Sequence, residues 1–205
     1  MPASSSSTAA ASHEELFERY RTQQDLRAFE ALFDALTPRL LAFVARMLRG
    51  SPSSTSGRAE ELVQETWVRA CRSAGTFRGG SRFSTWLFSI AWRLCVDQLG
   101  RKAEVLRAEE EAPPDADVAL GESAWLEPKM ADPSLQQLLL EAVETLSVEQ
   151  REIILLRFQG LSLSEIAQIN GVNLQTLKAR AFKGRLRVAR YLREHGVDLD
   201  DVRKA

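Results

Sequence analysis

A chain of 205 residues with 44% hydrophobic and 27% charged side chains and a formal net charge of −1 is long enough for one or two packed domains, and it is neither fibrous nor a polyelectrolyte. Two cysteines without a CxxC and two histidines are too few for a zinc site. No apolar run reaches the ~20 residues that cross a bilayer, and the start MPASSSSTAAAS lacks the basic-then-apolar order of a secretory signal; a cytoplasmic protein with two buried thiols, Cys71 and Cys95, is expected.

In chain order, residues 1–12 have the composition of a disordered tail, and helical periodicity begins at His13. In HEELFERYRTQQDLRAFEALFDALTPRLLAFVARML, residues Leu16, Phe17, Tyr20, Leu26, Phe29, Leu32, Phe33 and Leu36 recur at the spacings of an amphipathic helix. Thr37 and Pro38 suit the cap and first residue of a further helix. GSPSSTSG, at 50–57, is a loop by composition. RAEELVQETWVRACRSA resumes the helical pattern, with Leu62, Val63, Thr66, Trp67 and Ala70 on one side. GTFRGGSRF is a second loop, and STWLFSIAWRLCVDQLGRK is an apolar helix that Ser84 can cap. Residues 103–134 hold 2 basic and 9 acidic residues without periodicity, which is linker composition. Helices return from Leu135 to about Arg193, and no alternating strand pattern occurs. The predicted fold is all-α, with two small helical domains at 13–102 and 135–205 joined by an acidic linker.

LSLSEIAQINGVN carries the punctuation of two short helices. Ser162 with Glu165 forms a capping box, Leu161 and Ile166 its hydrophobic staple, Gly171 suits a left-handed helix end, and Asn173 can cap the second helix. Helix, glycine turn, helix is the signature of a motif whose second helix enters the DNA major groove. From Asn173 to Arg193 there are seven Lys or Arg residues and no Asp or Glu. Leu174, Leu177, Ala181 and Val188 fall on the inward side, which leaves Gln175, Thr176, Lys178, Ala179, Arg180, Phe182 and Lys183 outward or at the rim. Lysine and arginine neutralise phosphates and read guanine, and glutamine reads adenine, so the expected polyanion is duplex DNA.

The first half adds two features. Glu60, Glu61, Gln64 and Glu65, beside Leu62 and Trp67, make an acidic face suited to a basic partner helix. Phe77, Arg78, Arg82, Phe83 and Trp86 interleave rings and guanidinium groups beside Gly79 and Gly80, a composition suited to single-stranded nucleic acid. A plain core role for Trp67, Trp86 and Trp92 is the competing reading.

AEELVQETWVRACRSAGTFRGGSRFSTWLFSIAWRLCVDQL resembles the first domain of extracytoplasmic-function sigma factors, and LSVEQREIILLRFQGLSLSEIAQINGVNLQTLKARAFKGRLRVA resembles their C-terminal domain. The resemblance implies a bacterial transcription initiation factor without catalysis or cofactor, built from a sigma-2-like bundle and a sigma-4-like helix-turn-helix. By it, Glu60, Glu61, Leu62, Gln64, Glu65 and Trp67 meet core RNA polymerase. Phe77, Arg78, Gly79, Gly80, Ser81, Arg82 and Trp86 hold the melted non-template strand of the −10 promoter element, which Trp92, Arg93, Gln98, Arg101 and Lys102 approach. Gln175, Thr176, Lys178, Ala179, Arg180, Phe182 and Lys183 read the −35 element, with Arg185 and Arg187 on phosphates. An anti-sigma factor is a further implied partner. Two positions depart from the family pattern: Glu61 stands where Asp is common, and Ala179 where Ser is.

Two other classes compete. A free-standing helix-turn-helix regulator would bind operator DNA as a dimer, with half-sites about one helical turn apart. An enzyme with a DNA-binding tail would need a positioned nucleophile or base and, for phosphate chemistry, a GxxxxGK loop, which the first domain lacks.

Overall fold

The computed structural model describes residues 11–50, 56–77, 79–100 and 133–197, and every regular element in them is helical. The first group comprises α1 (His13–Gln23), α2 (Leu26–Leu48), α3 (Ser56–Arg72), a 3₁₀ turn (Ala74–Thr76) and α4 (Phe83–Gln98). The second comprises α5 (Pro133–Glu144), α6 (Val148–Phe158), α7 (Leu163–Asn170) and α8 (Leu174–Glu194). Most of the expected tail and linker, and residues 51–55 of the first loop, lie outside the described residues. Pro133 and Ser134, expected in the linker, instead open α5, where the missing N–H of proline costs no helix bond.

Capping chemistry sets the boundaries. Ser12 and Glu15 form a capping box that starts α1. The periodic stretch from His13 onward is not one helix: Gln24 takes a left-handed φ of 55° and its N–H returns to the Tyr20 carbonyl. Asp25 then caps α2 by accepting from Arg27 N and Ala28 N. The Arg19 guanidinium, 2.5 Å away, and then those backbone donors hold the Asp25 carboxyl below the usual carboxylate range. Pro38 does not begin a helix but lies inside α2. It removes one backbone bond, whereas Leu32, Leu36, Leu40, Phe43, Val44 and Met47 on both sides of it share one buried face, and that packing outweighs the roughly 3 kcal/mol proline penalty. Thr37, freed from capping, accepts from Trp67 Nε1 at 3.0 Å.

α2 is the centre of the first group and packs against α1, α3 and α4; α8 plays that part in the second, against α5, α6 and α7. A Cβ placed on Gly184 would sit 3.4 Å from Gln150 Cβ, so the glycine allows the close crossing of α8 over α6. Buried apolar side chains from both groups form one continuous cluster, and α2 touches α6 directly.

Both cysteines are free thiols. Cys95 is wholly buried, and burial pushes its thiol up to about 12, whereas Cys71 is half-buried. A thiol-disulfide reagent at mild alkaline pH should therefore modify Cys71 alone in the folded chain and both cysteines in denaturant, since only the thiolate reacts. Equal reaction of both in the native state, counted by mass spectrometry, would contradict this packing.

Candidate nucleic-acid and partner interfaces

The helix-turn-helix forms as its residues dictate. Ser162 accepts from Glu165 N while Glu165 accepts from Ser162 N, Gly171 holds a left-handed φ of 64°, and Asn173 accepts from Gln175 N. Ile166, Ala167 and Leu177 are buried between α7 and α8. On α8, Gln175, Lys183 and Arg187 are exposed, while Thr176, Lys178, Phe182 and Arg185 are half-buried. Two residues expected to face outward do not: Ala179 and Arg180 are 0% and 6% exposed. Arg180 lies three residues after Leu177 and four before Gly184, on the stripe that also carries Val188, so helical geometry turns it toward the protein. Leu174, expected inward, is 37% exposed at the first turn.

On α3, Glu60, Glu61 and Gln64 are exposed and Glu65 is half-buried, above Leu62 and Trp67, which are core residues. Glu61 pairs with Arg58 at 2.6 Å and Glu65 with Arg69 at 2.7 Å. Beside this acidic face the structure adds apolar surface that sequence reasoning missed. Leu26, Phe33 and Val68 are exposed, and Phe29, Glu30, Phe33 and Asp34 line an open groove of about 430 Å³. The available signal was the Phe29–Phe33 pair, one helical turn apart and interleaved with acids.

The loop aromatics engage one another and α1. Phe17 stacks on Phe83 at 4.3 Å, Phe77 meets Phe17 edge-on at 5.4 Å, and Trp86 lies 5.2 Å from Phe77. Phe83 is fully buried, whereas Phe77 and Trp86 keep part of each ring accessible. Ser84 does not cap α4. The helix begins at Phe83, whose N–H donates to Glu14 Oε1 at 2.9 Å, so a carboxylate from α1 sits at its positive end. Gly79, Gly80 and Arg82 are exposed and Ser81 is half-buried, while Arg78 lies outside the described residues.

The remaining candidates divide. Arg93 is exposed. Gln98 accepts from the Arg58 guanidinium, which ties the end of α4 to the start of α3. Arg101 and Lys102 lie outside the described residues. Trp92 is 3% exposed, and its indole N–H donates to Glu152 Oε2 on α6 at 3.2 Å. Among the described residues no group of three or more His, Cys, Asp or Glu is placed to hold a metal ion, and no helix is long and apolar enough to cross a membrane.

Comparison with known proteins fits this arrangement. Residues 32–105 match the model of Sigma-70 region 2, and residues 136–188 match that of Sigma-70 region 4. The chain is 34% identical over 171 residues to the RNA polymerase sigma factor CarQ of Myxococcus xanthus, across 82% of this chain and 90% of that one. It is 30% identical over 174 residues to the ECF RNA polymerase sigma-E factor of Escherichia coli K12, across 78% of this chain and 84% of that one. Among solved structures it is similar to the sigma factor RpoE of Bartonella quintana, in a complex with the anti-sigma factor NepR, with a TM-score of 0.54 at 27% identity, covering 80% of this chain and 96% of that one. It shares the fold of CnrH, whose structure was solved with the cytosolic domain of CnrY, at a TM-score of 0.55 and 20% identity, covering 87% and 96% of the two chains.

Proposed function

This chain belongs to the sigma-70 family, among its extracytoplasmic-function members, and from that premise we propose how its surfaces divide the work of an alternative sigma factor that binds core RNA polymerase and directs it to promoter DNA. The observation that carries the reading is the pairing of an exposed acidic and apolar face on α2 and α3 with a helix-turn-helix whose second helix is basic. Neither feature alone selects a sigma factor from other DNA-binding proteins; their presence on one chain in this order does.

In this reading the domains span 13–102 and 135–205. Glu60, Glu61, Gln64 and Glu65 meet a basic helix of the polymerase, with the groove at Phe29 and Phe33 taking its apolar side chains. Leu62 and Trp67 hold that face in shape from below. Gly79, Gly80, Ser81 and Arg82, with Arg78 and the accessible edges of Phe77 and Trp86, take the melted −10 strand by stacking and phosphate contact. Gln175, Thr176, Lys178, Lys183 and Arg187 approach the −35 duplex, with phosphate contacts fixing register and base contacts supplying specificity. The chain performs no chemistry itself; it works in the cytoplasm and is restrained by an anti-sigma factor, the kind of partner that RpoE has in its complex with NepR.

Run-off transcription with purified core polymerase and a pool of genomic promoter fragments tests the reading. Transcripts that depend on the added chain support it; their absence, with no co-elution with core enzyme, sinks it in favour of a free-standing regulator. Glu65→Lys reverses a charge on the acidic face and turns the Arg69 pair into a repulsion, so it should weaken capture of core polymerase while leaving the helical signal intact. Undiminished capture in a pull-down would remove this face from the polymerase contact.

A further inference from the structure

The 77–83 loop is held at its two stems, and α1 reaches both. Packing does not shape the tip at its glycines: Gly79 takes a left-handed φ of 69°, and a Cβ on Gly79 or Gly80 would meet nothing within 4 Å. At the stems, the buried Phe17 ring of α1 meets Phe77 edge-on at 5.4 Å and stacks on Phe83 at 4.3 Å. Glu14, one turn earlier on the same face of α1, accepts from the Phe83 N–H at 2.9 Å. Arg82, the residue before α4, makes no side-chain cap, so this carboxylate supplies the cap that the local sequence does not. α1 is anchored independently of the loop, by the Ser12–Glu15 capping box at its start and by the Arg19–Asp25 ion pair to the cap of α2. It also precedes the residues that match the region 2 model, which begin at 32.

We propose that Glu14 is a positioning residue for the melted promoter strand: with Phe17 it braces the two stems, so that the accessible edges of Phe77 and Trp86 and the backbone of 79–82 hold their strand-binding arrangement before DNA arrives. Without the brace, the two glycines would spread the loop over many conformations, and binding would have to order it first. Phe17 also lies 5.7 Å from Trp86, so the same α1 face sets both rings offered to the bases. Glu14 is exposed and has the wrong charge for contact with phosphate, which separates positioning from contact. By electrostatics alone its removal would tighten DNA binding; by the brace its removal weakens it. The strand rests on the proposed sigma-factor function; the brace geometry does not.

The test compares the full wild-type chain with Glu14→Ala and Glu14→Gln. Alanine deletes the acceptor and suits a helix; glutamine drops the charge but keeps an oxygen that can accept the Phe83 N–H. In the isotope-labelled free chain, solvent exchange of the Phe83 amide, followed by NMR, should be faster in Glu14→Ala than in the other two. In holoenzyme rebuilt with purified core polymerase, the probe is a fluorescent oligonucleotide carrying the non-template strand just upstream of the strongest wild-type run-off start. Glu14→Ala should bind it about tenfold more weakly, the factor set by losing one charged hydrogen bond from the ordered loop, and Glu14→Gln should stay within about twofold of wild type. Both variants should capture core polymerase as wild type does. Unchanged Phe83 exchange in Glu14→Ala overturns the brace. Unchanged or tighter oligonucleotide binding by that variant, measured well below its unfolding temperature, overturns the role in strand capture and leaves Glu14 a purely structural cap. A wild-type chain that yields no run-off transcript sinks the functional reading instead, and the exchange result still decides the brace.

Discussion

Trp67→Ala should lower the unfolding free energy by about 3–5 kcal/mol, the range for emptying a large aromatic site in a packed core. Trp67 is 4% exposed, with Phe29 edge-on at 5.5 Å, Phe33 tilted at 5.3 Å, and its indole N–H on Thr37 Oγ1 at 3.0 Å. Removing it opens a void between α2 and α3 and leaves Thr37 without that donor. Trp67→Phe should lose much less, about 1–2 kcal/mol, because the ring contacts persist and the deficit is one hydrogen bond plus the missing second ring. Urea denaturation followed by helical circular dichroism separates the two. The ring also packs against Phe29 and Phe33, which line the groove proposed above to take polymerase side chains, so the alanine variant should capture core polymerase poorly even at temperatures where it remains folded. An alanine variant within about 1 kcal/mol of wild type would show that the α2–α3 seam does not depend on this ring.

What could be read from the sequence, and what could not, divides by range. The helix-turn-helix was legible to the residue because its signals are local: a serine with a glutamate three positions on, a glycine at the left-handed position, and an asparagine cap all act within a turn of themselves. The buried stripe of α3 was legible for the same reason, and Leu62, Val63, Thr66, Trp67 and Ala70 are all buried. Misreadings occurred where distant contacts decide. Pro38 stays inside α2 because packing on both sides holds the helix through it, and Ser84 yields to Glu14, a cap supplied from 69 residues away. Gln24 breaks the first periodic stretch without the glycine that usually marks a left-handed turn. Trp92 shows the limit most plainly. The pattern offers it a core role in the first group, the family resemblance a DNA contact, and in the structure it is held by an acid from the second group. Among the site residues, charge and period placed Gln175 and Lys183 correctly on the surface, whereas Arg180 fell on the buried stripe, where a basic side chain and an inward Cβ vector give opposite readings.

Arg151→Ala should have the second large effect, and its form is as informative as its size. The Arg151 guanidinium, 9% exposed, donates to the carbonyls of Arg49 at 3.0 Å, Glu144 at 3.0 Å and Leu146 at 3.3 Å, and approaches that of Arg46 at 3.5 Å. It thus joins the C-terminal end of α2 to that of α5, where the last carbonyls of a helix run short of backbone N–H donors. Burial, and then the nearby Arg49 charge, holds the guanidinium below the usual arginine value, but it stays cationic at any pH at which the chain is folded. Truncation to alanine leaves those carbonyls without their charged donor, at a cost of about 1.5–3 kcal/mol. Because the buried apolar cluster is continuous through both helical groups, the wild-type chain should unfold in one transition. Loss of Arg151 weakens the seam rather than either group, so calorimetry should resolve two overlapping transitions in Arg151→Ala. Arg151→Lys should not restore the single transition, because one ammonium cannot span both helix ends as the planar fork does. A single sharp transition in Arg151→Ala, shifted or not, would place the coupling between the groups in the apolar cluster instead of in this guanidinium.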